Sequence, residues 1–158
     1  MDTGEVNKRL KIATERARAH AADRRQKDAE ATKAYETFLD RVATPLMKQL
    51  ASALKAEGHG FTLFTPAGNP RLASDRHRDD FIELALERGD TAAGDSALED
   101  AALRDTALQV VGRVSHVRGS RTLTWTQPVT AGNSAPGSLT DEQLLSFLLD
   151  ALRPWIER

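Results

Sequence analysis

The sequence predicts an α+β domain with a long N-terminal helix, an antiparallel sheet of about four strands and a C-terminal helix packed on one face of the sheet. Strong helix formers run from Val6 to Thr44 without an intervening Gly or Pro. Residues 59–128 contain several short segments in which apolar and polar residues alternate. A final apolar stripe with helical spacing closes the chain. Strands flanked by helices are typical of a sheet with one covered face.

The first predicted element is a helix over residues 5–57. Its second half, from Tyr35 to Leu54, has large apolar side chains at spacings of three and four residues. This half is therefore expected to pack on a core. Pro45 predicts either a second helix over 45–57, for which the preceding threonine is the N-cap, or a kink in one continuous helix.

The first half of this helix has little to bury. Between Ala13 and Ala34 every apolar side chain is alanine, which contributes little buried area. A continuous helix over 5–57 would be about 80 Å long, whereas a domain of 100 residues has a radius of gyration of only ~13 Å. We therefore predict a basic, alanine- and arginine-rich helical arm over residues 1–34 and a compact α+β domain over residues 35–158.

Four strands are predicted in the middle of the chain. They occupy residues 59–65, 80–86, 108–115 and 122–126, and the last two are joined by a tight turn at Gly119-Ser120. The face opposite the core is expected to be polar, and either solvated or covered by a partner. The residues predicted on it are Glu83, Glu87, Gln109, Arg113, Thr122, Thr124 and Thr126.

Two capping boxes predict the remaining helices. Ser96 and Glu99 begin a short helix that ends near Arg104. Thr140 and Gln143 begin the closing helix, whose leucines form a broad apolar face.

Composition excludes several classes of function. The chain has 158 residues, a net charge of −1 and no cysteine, so disulfides and thiolate metal sites are excluded. There is no Gly-x-Ser-x-Gly motif for a nucleophilic serine. The most apolar stretch, residues 144–149, is far shorter than the ~20 residues that cross a bilayer, and no secretory signal is visible. A cytoplasmic protein without a cofactor is expected.

One cluster has the residue types of a metal site. Asp75, His77 and Asp79 point the same way in an extended strand, and one imidazole with two carboxylates suits a divalent metal. A small metal-dependent enzyme is therefore one hypothesis. The alternative interpretation is a solvated, charge-balanced end of a hairpin, because charged loop residues are normally exposed.

A second cluster is basic. Residues 8–27 hold eight basic side chains and only two acidic ones. They could neutralise phosphates, which makes a nucleic-acid-associated protein a second hypothesis. A solvated helix with local ion pairs is the alternative. The candidate residues for contact with a partner or with phosphates are Arg9, Arg16, Arg18, Arg24, Arg25 and Lys27.

The leading hypothesis is a non-enzymatic interaction or structural module. It would self-associate or bind a protein partner through the long N-terminal helix and the polar sheet face, without contact with a membrane. The mismatch between the length of the helix and the size of the domain motivates this hypothesis, because a projecting helix of this composition needs a partner or frays. A short heptad pattern at Leu10, Ala13 and Ala17 suggests a coiled coil, although Arg24 and Asp28 interrupt it.

Overall fold

A computed structural model describes residues 2–89 and 107–157 of the chain. Along the chain, an N-terminal helical region is followed by an antiparallel sheet and then by a C-terminal helix, which confirms the predicted α+β class. The elements are α1 (Thr3–Phe38), α2 (Thr44–Ala56), β1 (Phe61–Phe64), β2 (Arg71–Ser74), β3 (Phe81–Arg88), β4 (Leu108–Arg118), β5 (Arg121–Pro128) and α3 (Asp141–Ile156). The short helix predicted at 96–104 lies outside the described residues.

In the described part of the chain the sheet has five strands rather than about four. Its spatial order follows the chain, β1-β2-β3-β4-β5, and every neighbouring pair is antiparallel. The additional strand is β2, which has four residues and lies between β1 and β3. Its two central residues, Leu72 and Ala73, are both buried on opposite faces of the sheet. The alternation that predicts a half-exposed strand is therefore missing from this segment.

The N-terminal helix passes Pro45 without a break. Leu39–Ala43 form a π-helical turn between α1 and α2, and the N–H of Thr44 donates to the carbonyl of Leu39. Thr44 has helical φ and ψ of −64° and −48°, so the prediction that it caps a second helix is wrong. Proline has no N–H and crowds the carbonyl four residues earlier, and the wider π turn directly before it accommodates both defects.

The core lies between one face of the sheet and the helices. Strand register puts Ile82 opposite Val114 and Leu84 opposite Gly112, so these side-chain positions share one face. Phe147 of α3 packs directly over Gly112. At the end of α3, Trp155 makes edge-to-face ring contacts with Phe61 and His116, at centroid distances of 5.6 and 4.9 Å. The end of α1, the π-helical turn and α2 complete the same core. Their buried residues are Tyr35, Phe38, Leu39, Ala43, Met47, Leu50 and Leu54.

Tyr35 anchors α1 in this core. Its hydroxyl donates to Oδ1 of Asn69 at 2.9 Å. Burial, and then the nearby carboxylate of Glu83, raise the pKa of Tyr35 above its ordinary value, while Arg113 acts in the opposite direction.

The raised pKa of Tyr35 predicts a loss of stability in alkali. Above a pH of about 10 the unfolded chain loses the phenolic proton while the folded chain keeps it, so the free energy of unfolding falls as pH rises beyond that value. Tyr35 is the only tyrosine of the chain, so tyrosinate absorbance reports on it alone. We expect this absorbance to appear at a higher pH than that at which free tyrosine loses its proton, and to appear together with unfolding. If the phenol of Tyr35 lost its proton in the folded protein at the same pH as free tyrosine, the packing of Tyr35 would be contradicted.

Candidate functional site

The first part of α1 projects away from the core. The helix begins after Asp2, whose carboxylate accepts a hydrogen bond from the N–H of Gly4, and its 36 residues extend over about 54 Å. Residues 2–20 are all exposed, and partial burial begins only at Ala21. We call residues 3–20 the projecting segment. Nothing among the described residues covers it on any side.

An ion pair holds α1 against the sheet where the projecting segment ends. Asp28 accepts hydrogen bonds from the guanidinium of Arg88, at the end of β3. This contact raises the pKa of Arg88, chiefly through the hydrogen bond. Toward the C-terminus, Ala31 and Ala34 are half-buried and Tyr35 is buried. The orientation of the helix is therefore set by contacts that begin about seven turns from its N-terminus.

An apolar line runs along the projecting segment. Val6, Leu10, Ala13 and Ala17 follow one another at spacings of four and three residues, which places them on one face of the helix. We call these four residues the seam. Val6 and Leu10 are 47% and 63% exposed. Further steps of three or four residues along α1 lead past Asp28 to Tyr35 and Phe38. The helix face that is buried in the second half of α1 is therefore the face that is exposed in the first half.

Basic residues border the seam on both sides. Arg9 and Arg16 directly precede Leu10 and Ala17 and lie on one side, whereas Arg18 lies on the other. Two of the predicted contact residues are engaged in local pairs, Arg9 with Glu5 at 3.0 Å and Lys27 with Asp23 at 3.1 Å. Arg24 lies on the line of the seam, beside the contact of α1 with β3. Within the part of the chain that the structure describes, no ion pair is formed by Arg16, Arg18 or Arg25.

The three residues predicted for a metal site have different surroundings in the structure. Asp75 accepts a hydrogen bond from the hydroxyl of Thr62 at 2.6 Å, and Asp79 is exposed. His77 lines a cavity of about 260 Å³ together with His59, Asp80 and Trp155. Among residues 2–89 and 107–157 there is no group of three or more His, Asp and Glu side chains placed to hold a metal ion. The geometry therefore lends the metal-enzyme hypothesis no support.

The buried member of this segment is Asp80, which has a structural contact. It is 3% exposed and accepts a hydrogen bond from the N–H of Val117 at 2.6 Å. A buried carboxylate that receives a backbone N–H at this distance is satisfied by the sheet itself. Asp80 therefore fixes the start of β3 against the end of β4.

The polar face of the sheet is only partly solvated. Register places Glu83 opposite both Arg71 and Arg113, and Glu87 opposite Gln109. Glu83 is 6% exposed and pairs with Arg71 at 3.3 Å, so this glutamate is neither solvated nor in need of a partner to cover it. Arg113 also pairs with Glu87, and that hydrogen bond raises the pKa of Arg113. The sequence pattern missed this cluster because Arg71 belongs to the strand that was not predicted.

A cavity of about 1050 Å³ lies between β5 and α3. Its charged lining consists of the carboxylates of Glu142 and Asp150, and its other polar lining is mainly amide and hydroxyl groups. The described residues that line it include no histidine and no basic side chain. This set offers neither a nucleophile with a base nor a cationic site for an anionic substrate.

Comparison with models of protein families, with curated proteins and with solved structures finds no match to this chain in any of the three. Of the helices in residues 2–89 and 107–157, none is long and apolar enough to span a bilayer.

Proposed function

We propose that this protein is a non-enzymatic interaction module that binds an acidic protein partner through the projecting segment of α1. The observation that carries the proposal is the seam, which continues the buried face of α1 into solvent. Helices that expose an apolar line between charged borders typically dock against another amphipathic helix. Arg9 and Arg16 on one side, and Arg18 on the other, favour a partner with acidic borders.

The charge of α1 argues against pairing of two copies through this segment. Residues 8–27 have eight basic side chains and two acidic ones. Two such segments side by side would place like charges along the whole contact, in either orientation, and this repulsion opposes association. The short alanines Ala13 and Ala17 add little apolar area to offset it. An acidic partner would instead attract all eight basic side chains.

The apolar seam also distinguishes a protein partner from nucleic acid. A phosphate backbone is neutralised by Lys and Arg and gains nothing from Val6 or Leu10. The projecting segment has no Phe, Tyr or Trp to stack on bases. The polar sheet face contributes less to the proposal, because Arg71 and Arg113 both pair with Glu83.

The proposal predicts binding of a labelled synthetic helical peptide with leucines at heptad positions a and d and glutamates beside them. Fluorescence anisotropy measures its dissociation constant. Replacing both Val6→Ser and Leu10→Ser removes about 2 kcal/mol of apolar burial, which weakens binding roughly 30-fold. Poly-glutamate, which has the charge without the apolar line, is expected to bind more weakly than the peptide and to be insensitive to these substitutions.

The contribution of charge is tested by a matched pair of triple variants. Neutralising Arg16, Arg18 and Arg25 with glutamine is expected to weaken peptide binding and to reduce its dependence on salt. Neutralising Arg41, Lys48 and Lys55, which are exposed further along the helical region, is expected to change neither. Tighter binding of a DNA duplex than of the peptide, with no effect of the seam variant, would contradict the proposal in favour of a nucleic-acid partner.

A further inference from the structure

Within residues 2–89 and 107–157, strand β5 forms an edge of the sheet that no other element covers. It is the last strand in the spatial order, and all eight of its residues are exposed. Its register with β4 runs without interruption from Arg121 to Pro128, so no bulge twists it away. Between Thr122 and Gln127 it has no charged residue. Edge strands are normally protected from pairing by charges, prolines or bulges, and this edge has none of them in its interior.

The backbone groups that point outward from β5 are those of three threonines. The turn at Gly119-Ser120 has two residues, with φ of +65° at the glycine, so the flanking pair Arg118 and Arg121 is hydrogen-bonded. Hydrogen-bonded and non-hydrogen-bonded pairs then alternate along an antiparallel ladder. The N–H of Val129 donates to the carbonyl of Val110, which continues the same alternation. The outward N–H and C=O groups therefore belong to Thr122, Thr124 and Thr126.

We infer that β5 pairs with β5 of a second copy of this chain, antiparallel, about a two-fold axis at Thr124. In this register the two copies of Thr124 lie opposite each other, and each Thr122 lies opposite Thr126 of the second copy. Each of the three pairs exchanges two backbone hydrogen bonds. The next outward position is Pro128, which has no N–H and ends the ladder.

The side chains of β5 are complementary to themselves in this register. Leu123 and Trp125 are 42% and 37% exposed and lie on the face of the sheet that carries α3. Each Leu123 lies opposite Trp125 of the second copy, in the closer, non-hydrogen-bonded type of pair. On the other face threonine lies opposite threonine, which is a favourable cross-strand pair. This arrangement covers both exposed apolar side chains of the strand.

The charges of β5 favour this antiparallel register over a parallel pairing of the two copies and over a pairing shifted along the strand. The antiparallel register places Arg121 opposite Gln127 of the second copy, so the two arginines lie at opposite ends of the contact. A two-fold axis at Thr122 or Thr126 would shorten the ladder and leave outward N–H groups unpaired. The axis at Thr124 pairs every outward N–H of β5 and keeps the two copies of Arg121 apart.

Cross-linking tests the register. The chain has no cysteine, so one introduced cysteine reports on one position. The two Thr124 Cα atoms are expected about 5.5 Å apart, within the range that a disulfide bridges. Mild oxidation of the Thr124→Cys variant should therefore give a covalent dimer. The matched variant Thr122→Cys should stay monomeric on a denaturing gel, because its two copies are four residues out of register and more than ~13 Å apart. Equal cross-linking of both variants, or none with Thr124→Cys, would overturn the proposed register.

Sedimentation velocity tests the association itself. The unmodified chain, of 17.3 kDa, should sediment with twice this mass. Thr124→Pro removes an outward N–H that the β4 ladder does not use, so it should give a folded monomer. Thr124→Val keeps that N–H and should remain a dimer. A monomeric unmodified chain, or a folded Thr124→Pro variant that stays dimeric, would overturn the inference. The edge of β5 and the seam have no residue in common, so the Thr124 variants test this inference separately from partner binding by α1.

Discussion

Replacing Gly112 with alanine is expected to lower the free energy of unfolding by about 3 kcal/mol, at the upper end of the usual cost of overpacking. A Cβ at this position would lie 1.9 Å from Cζ of Phe147 and 2.4 Å from its Cε1. Phe147 is buried in the core and points with the end of its ring at the backbone of β4. Neither β4, which pairs with a strand on each side, nor the buried ring can move far without losing other contacts. Urea unfolding followed by circular dichroism measures the change.

Two further variants separate this contact from a general effect of alanine. Gly137→Ala places its Cβ in open space and should change stability by less than about 0.5 kcal/mol. Combining Gly112→Ala with Phe147→Leu removes the clashing ring atoms and should recover part of the lost stability. If Gly112→Ala behaved like Gly137→Ala, α3 would not lie across β4 at this point.

The second large effect is expected at Phe38, compared with Leu10. The two residues are four heptads apart on α1 and lie on the same face of the helix. Phe38 is 4% exposed and belongs to the core, whereas Leu10 is 63% exposed. Phe38→Ala should cost about 3–5 kcal/mol, and Leu10→Ala less than about 0.5 kcal/mol. Both values come from denaturant unfolding of the full chain.

This comparison bears directly on the role of the projecting segment. A helix face that is buried at Phe38 and exposed at Leu10 leaves the seam available to a partner. If Leu10→Ala destabilised the chain as much as Phe38→Ala, Leu10 would already be covered. The apolar line would then be part of the fold and no docking surface.

The helices could be predicted because their signals are local. In α3, the hydroxyl of Thr140 accepts from the N–H of Gln143, and the side chain of Gln143 accepts from the N–H of Thr140, as the capping box predicts. The second half of α1 and α2 have large apolar residues at regular spacing, so burial of one face followed from the pattern alone. These features depend on neighbours within four residues and need no knowledge of the fold.

The features that the sequence did not predict depend on residues distant in the chain. Glu83 is buried because Arg71 and Arg113 approach it from neighbouring strands. Asp28 interrupts the apolar line of α1, yet it forms an ion pair with Arg88, 60 residues away. Thr44-Pro45 has the same local signal whether a helix starts there or continues, and the packing on either side decides between them.

The candidate surfaces were visible in the sequence to different degrees. The basic run from Lys8 to Lys27 is a matter of composition, but the relation of the seam to the buried face required the observed course of α1. The outward direction of the threonine N–H groups in β5 required the register with β4. That register is fixed by the turn at Gly119, which the sequence did predict.

Hydrogen–deuterium exchange with and without the acidic helical peptide tests the central claim most directly. In the free protein, amides of residues 3–20 should exchange quickly, because an exposed helix end frays, and those of residues 35–56 slowly, because they belong to the core. Addition of the peptide should slow exchange in residues 3–20 and leave the sheet unchanged. Protection confined to the sheet, or none anywhere at saturating peptide, would contradict the assignment of the projecting segment as the binding surface.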